Sequence, residues 1–472
     1  MHRERFSLLA GFAVALAGGS VSTPAFAEEP PERVTDTAKP LKGAPGAFEA
    51  GGFVFRLSLE LRLRGELWSD VPTSDGASAV LGRLDARGEH ERDALLSERL
   101  RLGLAIERGP IAVVVKLQDA RSFGDHAGVF SGSSGLPHTA PYEAYLDVHT
   151  RDRDVFFRAG RQEIVLGDGR LVGKSDESPI GRSLDALRFA FRVHDFDVQA
   201  FGAMLVPPGK SRAGGTLHPG AQLIAVDGTW HIKPIFKAEL TGLARIVREP
   251  FPRALTPADT FVAAARLFGD QRGFRYSVVG AFEAGRVAVV GDVRSQVAGA
   301  VAGRGEFETT LPWHLTFGAQ GAYASGGDRS SSTKTTEKTF DPILPDSNEH
   351  FAHSGFYAWS NLIEAGGDVA VQPVDPLRIR VGYRFAGLAQ PKGEWFSSLL
   401  EPVGSSATNT SHTLGHVLEA GVTIKPWEPL TFIADYGAMI LGSGGKAILD
   451  QAGTSTKIVH FGLLEAKVRL PE

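Results

Sequence analysis

Arginine recurs at alternate positions along several stretches of this chain: Arg56, Arg62 and Arg64; Arg99 and Arg101; Arg188 and Arg192; Arg378, Arg380 and Arg384. A guanidinium stays charged and presents its donors as a planar fork, so it pairs two-pronged with carboxylates. A row of such groups can do one of two things. It can close on acidic neighbours as structural ion pairs, or it can bind anions. Glu60, Glu66, Glu98, Glu143 and Asp147 stand at similar spacing, so some arginines must be paired across strands. A residual arginine excess around a water-filled passage would select anions.

The elements that carry these arginines are read from the residues between them. In FVFRLSLELRLRGEL (53–67), Phe53, Phe55, Leu57, Leu59, Leu61 and Leu63 alternate with Arg56, Ser58, Glu60, Arg62 and Arg64. A period of two is a β-strand with one oily and one charged face. The pattern returns in 97–106, 141–149, 185–193, 376–385, 416–427 and 463–470. In 185–193, for example, Leu187, Phe189, Phe191 and Val193 oppose Arg188 and Arg192.

Counting such segments gives about 18 strands, with roughly 25 residues per strand and loop, which suits a transmembrane antiparallel barrel. An arginine facing lipid at the bilayer midplane costs about 2–4 kcal/mol, so the apolar face must be outside. Backbone groups in lipid need partners, which forces closure, and a barrel this wide leaves an aqueous lumen. The reading is an all-β, monomeric pore with its charged faces inward. Aromatics near strand ends, Trp68, Trp313, Tyr323, Trp359, Tyr383, Trp427 and Tyr436, are candidates for interfacial girdles. The long polar segments 70–94, 121–141, 170–183, 325–355 and 390–412 are expected as loops on one side.

The N-terminus carries Arg3 and Arg5, an apolar run from Leu8 to Ala17 and an Ala25-Phe26-Ala27 site, the pattern of a cleaved secretory signal. The expected organisation is a signal peptide over 1–27, a flexible leader over 28–50 and the barrel over 51–472. The chain has no cysteine, which excludes disulfides and thiolate metal sites. Neither metal nor cofactor is expected. A net charge of −4 lacks the basic character that nucleic-acid binding leaves. The 56 glycines of 472 residues exceed the usual ~7% and fit many turns.

Enzyme motifs do not form. GEHERD (88–93) lacks the spacing of a His-Glu-x-x-His site, and GSGGKA (442–447) lacks the first glycine and the hydroxyl of a phosphate loop. No Gly-x-Ser-x-Gly elbow occurs. The carboxylates Glu143 and Asp147 are a pair any β-protein offers.

Residues 157–188, FRAGRQEIVLGDGRLVGKSDESPIGRSLDALR, carry Gly160-Arg161-Gln162, Gly167-Asp168-Gly169-Arg170-Leu171 and Arg182-Ser183-Leu184-Asp185-Ala186-Leu187-Arg188. This resembles the signature of the alginate-export family of outer-membrane β-barrels. ASGGD (324–328), TFDPILPDSNEH (339–350) and SNL (360–362) are similar to a second block of that family. Leu184 and Ala186 stand where the family often has Phe and Gly, and the chain ends on Leu470-Pro471-Glu472, not on an aromatic residue.

The resemblance implies an 18-stranded barrel in a Gram-negative outer membrane. It would pass an alginate-like polyuronate, or a related anionic solute, outward by passive diffusion. Arg161, Arg182, Asp185 and Arg188 are the implied channel residues, with Arg161 and Arg188 drawing sugar carboxylates and Asp185 orienting Arg182 or Arg188. Arg62, Arg99, Arg101, Arg192, Arg378 and Arg380 join them from the alternation. Outer-membrane lipid, an anionic saccharide and periplasmic export components are the implied partners. Two alternatives remain at this level: a small-solute porin of the same fold, and a soluble periplasmic polysaccharide-binding protein or lyase.

Overall fold

The computed structural model describes residues 41–71, 91–123, 138–206, 209–210, 217–218, 220–247, 258–289, 292–328, 335–351, 354–400, 402–451 and 456–470. The expected signal peptide lies outside the described residues, as do most of the leader and much of the first two loops.

Eighteen long strands follow one another: β1 (Phe53–Val71), β2 (Glu91–Arg108), β3 (Ile111–Phe123), β4 (His138–His149), β5 (Val155–Gln162), β6 (Leu184–Val193), β7 (Phe196–Val206), β8 (Ala221–Lys233) and β9 (Phe236–Val247). Then come β10 (Ala258–Gln271), β11 (Phe274–Val289), β12 (Asp292–Glu308), β13 (Thr316–Ala324), β14 (Leu362–Val374), β15 (Leu377–Leu388), β16 (Thr413–Trp427), β17 (Leu430–Leu441) and β18 (Ile458–Leu470). Each pairs antiparallel with the next, and β18 returns to β1 from Leu59↔Leu470 to Ser69↔His460. One chain thus closes an 18-stranded barrel without an edge, as a backbone in lipid requires. A short strand, Ala47–Ala50, folds back on Phe53–Arg56, so ordered pairing begins inside the expected leader.

The two faces are inverted relative to a soluble protein. Leu57 is 56% exposed, Leu63 45% and Leu67 51%, whereas Arg62 between them is 1% exposed and Arg99 0%. Leu100, Leu102 and Leu104 of β2 and Val113, Val115 and Leu117 of β3 continue the exposed oily rows. In water this arrangement would forfeit about 25 cal/mol for each Å² of apolar surface left unburied. In a bilayer it is the stable one. The soluble periplasmic alternative is thereby overturned.

Connections alternate in length. Short turns, such as Gly109-Pro110, His194-Asp195, Arg272-Gly273 and Glu428-Pro429, close one end. At Arg272-Gly273 both residues are left-handed (φ 54° and 80°), which matches the twist of a two-residue hairpin. A Cβ on Gly273 would lie 2.6 Å from the Glu308 carbonyl. The long loops all leave the other end.

Several long loops turn into the barrel. Ile164, Leu166, Leu171 and Val172 from 163–183 form one buried cluster with Phe340, Ile343, Phe351, Phe356, Tyr357 and Trp359 from 325–361 and Trp395 from 389–412. Bridges Leu166↔Val172 and Val172↔Leu344 tie the first two loops together. The cluster includes inward side chains of β8 to β13: Leu223, Ala225, Val262, Ala264, Val279, Ala281, Ala298, Ala300, Ala302 and Ala322. Small side chains on that wall leave room for the loops to pack against it.

Of the expected girdle, Tyr323, Tyr383, Tyr436, Trp313 and Trp427 are exposed. Tyr383 and Tyr436 each meet a histidine on the outer surface, His416 at 2.8 Å and His460 at 2.7 Å. Trp68 and Trp359 are corrections. Trp68 sits at an inward parity and packs on Phe461 and Phe356. Trp359 is fully buried in its loop and donates to the Tyr323 carbonyl at 3.1 Å.

Candidate functional site: a basic stripe inside the barrel

The register brings like charges side by side. Lys467 on β18 stands opposite Arg62 on β1, and Arg62 stands opposite Arg99 on β2. One rung below, Arg469, Glu60 and Arg101 are neighbours; one rung above, Glu465 faces Arg64. Strands lie about 4.8 Å apart, so three adjacent cations on one rung repel unless an anion comes between them.

The loop 163–183 supplies that anion. The Asp176 carboxylate accepts from Arg99 at 2.6 Å and from Lys467 at 3.2 Å, with Arg101 and Arg469 at 3.7 Å. Burial alone would raise this carboxyl, but Arg99, Lys467 and Arg62 hold it well below the usual carboxylate range. Loop carbonyls dock on the same wall. Arg62 donates to the Asp176 carbonyl and to that of Ser178 at 2.8 Å, Arg64 to Glu177 at 2.5 Å, and Arg101 to Ile180 at 3.3 Å. Glu60 accepts from Arg99 at 2.6 Å and from Arg469 at 3.0 Å, and Glu465 from Arg64 at 2.7 Å.

The stripe continues around the wall. Arg380 shares a rung with Gly421 and Asp435, and Arg378 faces Thr423, with Lys425 near the end of β16. Arg378, Arg380, Lys467 and Arg469 are only partly buried. Arg384, further along β15, is buried between Glu364 and Glu419 at 3.4 Å each.

Other signature residues have different roles. Arg188 is inward and buried, and donates to the Gln199 side chain at 3.0 and 2.8 Å. Arg192 pairs with Asp197 at 3.0 Å near a short turn. Arg182 is a loop strut, not a lining residue: it donates to the carbonyls of Gly173 at 2.9 Å and Leu344 at 2.5 Å, joining the two inward loops. Arg161 and Asp185 are corrections. They form a two-pronged pair with both contacts at 2.7 Å. Asp185 shares a face with the exposed Leu187 and Phe189, and Arg161 with Phe157, so the pair points outward, away from the lumen. Asp185 therefore orients Arg161, and neither Arg182 nor Arg188. Gly160 beside it has φ 126°, and a Cβ there would strike the Ala144 carbonyl. That close approach explains the glycine of the Gly-Arg-Gln motif.

Sequence reasoning missed Asp176, the centre of the site, because a loop residue carries no period. Lys467, Arg469 and Glu465 were visible as one face of the last strand, but only register shows which arginines they meet.

Comparisons with known proteins agree with this architecture. The model of the family described as alginate export matches residues 82–208 and 253–443, more than half of the chain. No curated protein matches it. Pseudomonas aeruginosa OccK5 (OpdH) superposes with a TM-score of 0.56 at 9% identity, over 88% of this chain and 98% of that one. OccK11 (OpdR) of the same organism gives 0.55 at 10% identity, over 88% and 96%. OccK2 (OpdF), solved in complex with glucuronate, gives 0.52 at 9% identity, over 88% and 96%. At such identities the likeness is one of fold. The chain is an outer-membrane β-barrel channel and belongs to the alginate export family.

Proposed function

We propose that this channel, in the outer membrane of a Gram-negative bacterium, passes an anionic saccharide of the polyuronate class by passive diffusion along its basic stripe. The observation that carries this reading is the rung Lys467–Arg62–Arg99, three adjacent cations of which the outer two share one loop carboxylate while Arg62 holds the loop carbonyls. A sugar carboxylate is the same chemical group as the Asp176 side chain, so it can exchange onto the rung one unit at a time. Arg469, Arg380, Arg378 and Lys425 would extend the path toward the short-turn end. Partly exposed sites of this kind bind weakly enough to release, which conduction requires.

A smaller cargo is the second reading, favoured by the inward loops. Phe340, Phe351 and Trp359 fill space inside β8 to β13 and narrow the bore. A single uronate or another small carboxylate would then be the natural size, and the glucuronate bound to OccK2 is of that class.

Conductance across a planar bilayer separates these readings. Anion-selective current blocked by both glucuronate and a long polyuronate supports the polymer channel. Block by glucuronate alone supports the small-solute channel. Cation selectivity would reject both.

A further inference from the structure

The outer surface carries a feature the channel does not use. Between β8 and β11 a groove of about 460 Å³ opens on the lipid-facing side. Ile224, Val226, Phe261 and Phe282 form its walls, and Gly242 and Ala263 leave its floor low.

A cation stands at one end of this groove. Arg286 lies on the same face of β11 as Phe282, and its side chain is 71% exposed. It is twelve residues along β11 from Phe274, which adjoins a short turn. With a rise of about 3.3 Å per residue and a strand tilt near ~40°, that is roughly 30 Å from the short-turn end, past the ~25 Å apolar band. Arg286 therefore sits at the long-loop membrane surface, above the groove. Asp259, opposite it on β10, lies 3.7 Å away and is 20% exposed. That contact steadies the guanidinium while leaving most of its fork toward solvent.

The other charged pairs on this surface differ. Arg161 spends both prongs on Asp185. Arg121 is held by Asp119 at 2.9 Å and Glu98 at 3.6 Å. Neither stands over a groove.

We propose that the groove seats an acyl chain of a phosphorylated outer-leaflet saccharolipid, the lipid A class, and that Arg286 receives its phosphate. The inference rests on the outer-membrane reading, because only there does the long-loop leaflet consist of such lipid. Arg286 is at the long-loop end, which selects that leaflet over the inner phospholipid one. A guanidinium fork matches a phosphate geometrically.

The test uses protein extracted from outer membranes in mild detergent. Native mass spectrometry reads the retained lipid, followed by titration with hexa-acylated lipid A or with phosphatidylglycerol. One retained lipid A is expected. Arg286→Ala should weaken lipid A binding about tenfold, by loss of a charge-assisted contact. Ala263→Phe should fill the groove and abolish retention, while Arg121→Ala should leave it unchanged. Equal retention of phosphatidylglycerol, undiminished binding by Arg286→Ala, or a dimer dissolved by Ala263→Phe would each overturn the proposal. Heat-modifiable mobility on a gel is recorded for every sample. A folded barrel without bound lipid A defeats this inference alone, whereas loss of the folded band in the wild type defeats the membrane reading as well.

Discussion

The inner wall has two halves that do opposite things with the same strand geometry. From β8 to β13 it presents alanine and valine to the loop cluster, beside buried inward polar groups such as Arg245 and Glu283 that both bond to Asp341 of the loop. From β18 through β1 to β2 it presents arginine and lysine interleaved with Glu60 and Glu465, and the loop meets it with carbonyls and one carboxylate. The first half fixes the loops over many small apolar contacts, with a few buried polar ties such as Arg245 to Asp341 at 2.5 Å. The second holds them by charge, which a competing anion or a change of protonation can reach.

The largest effect should follow from putting a charge on the dry half. Ala300, 8% exposed, points into the loop cluster. Ala300→Arg buries an unpaired charge, which costs several kcal/mol. Heat-modifiable mobility should be lost at a lower temperature, and the loops should become open to protease. Unchanged protection would remove the dry half from the account.

The next effect lies at the centre of the wet half. Asp176→Asn removes the carboxylate between Lys467 and Arg99, leaving Arg99 only Glu60 as a carboxylate partner and Lys467 short of an acceptor, and leaving such groups short of a partner costs about 1–3 kcal/mol. The loop should loosen, and anion preference in bilayer recordings should rise. A fall in anion preference would mean that the stripe does not line the path.

Protonation gives a finer comparison between loops. Burial, with Asp346 nearby, raises the Glu177 carboxyl to about 7. A folded value above the unfolded one of about 4.3 means docking is fully supported below that lower value and weakens as pH rises through about 7. Burial holds His350, in the second loop, down to about 3, so it is already neutral at that pH. Loop-dependent conductance should therefore grow from pH 6.5 to 8. Glu177→Gln should flatten the profile, and an undiminished profile in that variant would reject the assignment.

Two small effects sharpen the contrast. Thr423 is half-buried beside Arg378, where the stripe continues around the wall. Thr423→Arg puts a like charge opposite Arg378, which should cost only about 0.2–1 kcal/mol beside the water-filled passage, and raise anion preference. Its tolerance, set against Ala300→Arg, measures the difference between the stripe and the dry half directly. Arg161→Ala, on the outer surface, should leave selectivity unchanged; a shift in reversal potential would return Arg161 to the lumen.

Much of this was readable from alternation. The leucine row of 57–63 and the arginines between them are the two faces of a wall, and their parity sets which is outward. The same parity reveals why Arg161 and Asp185 fail as channel residues. Phe157, Ala159 and Arg161 alternate together, as do Asp185, Leu187 and Phe189. Alternation places both on the oily face, whereas the Gly-Arg-Gln and Arg-Ser-x-Asp motifs carry no information on which way they point. The inward loops were not legible in the same way. Their burial depends on contacts such as Val172 with Leu344, distant in sequence and without period. Trp68 and Trp359 show the same limit, since an aromatic near a strand end suits either an interface or a lumen packed with loops.

The most direct test of the central claim is the reversal potential of the channel across a salt gradient, for the wild type and for a variant with Arg62, Arg99 and Lys467 all changed to Gln. The account predicts an anion-selective wild type and a variant that has lost that preference while keeping a folded, heat-modifiable barrel. A cation-selective wild type, or a folded variant with the same reversal potential, would contradict it.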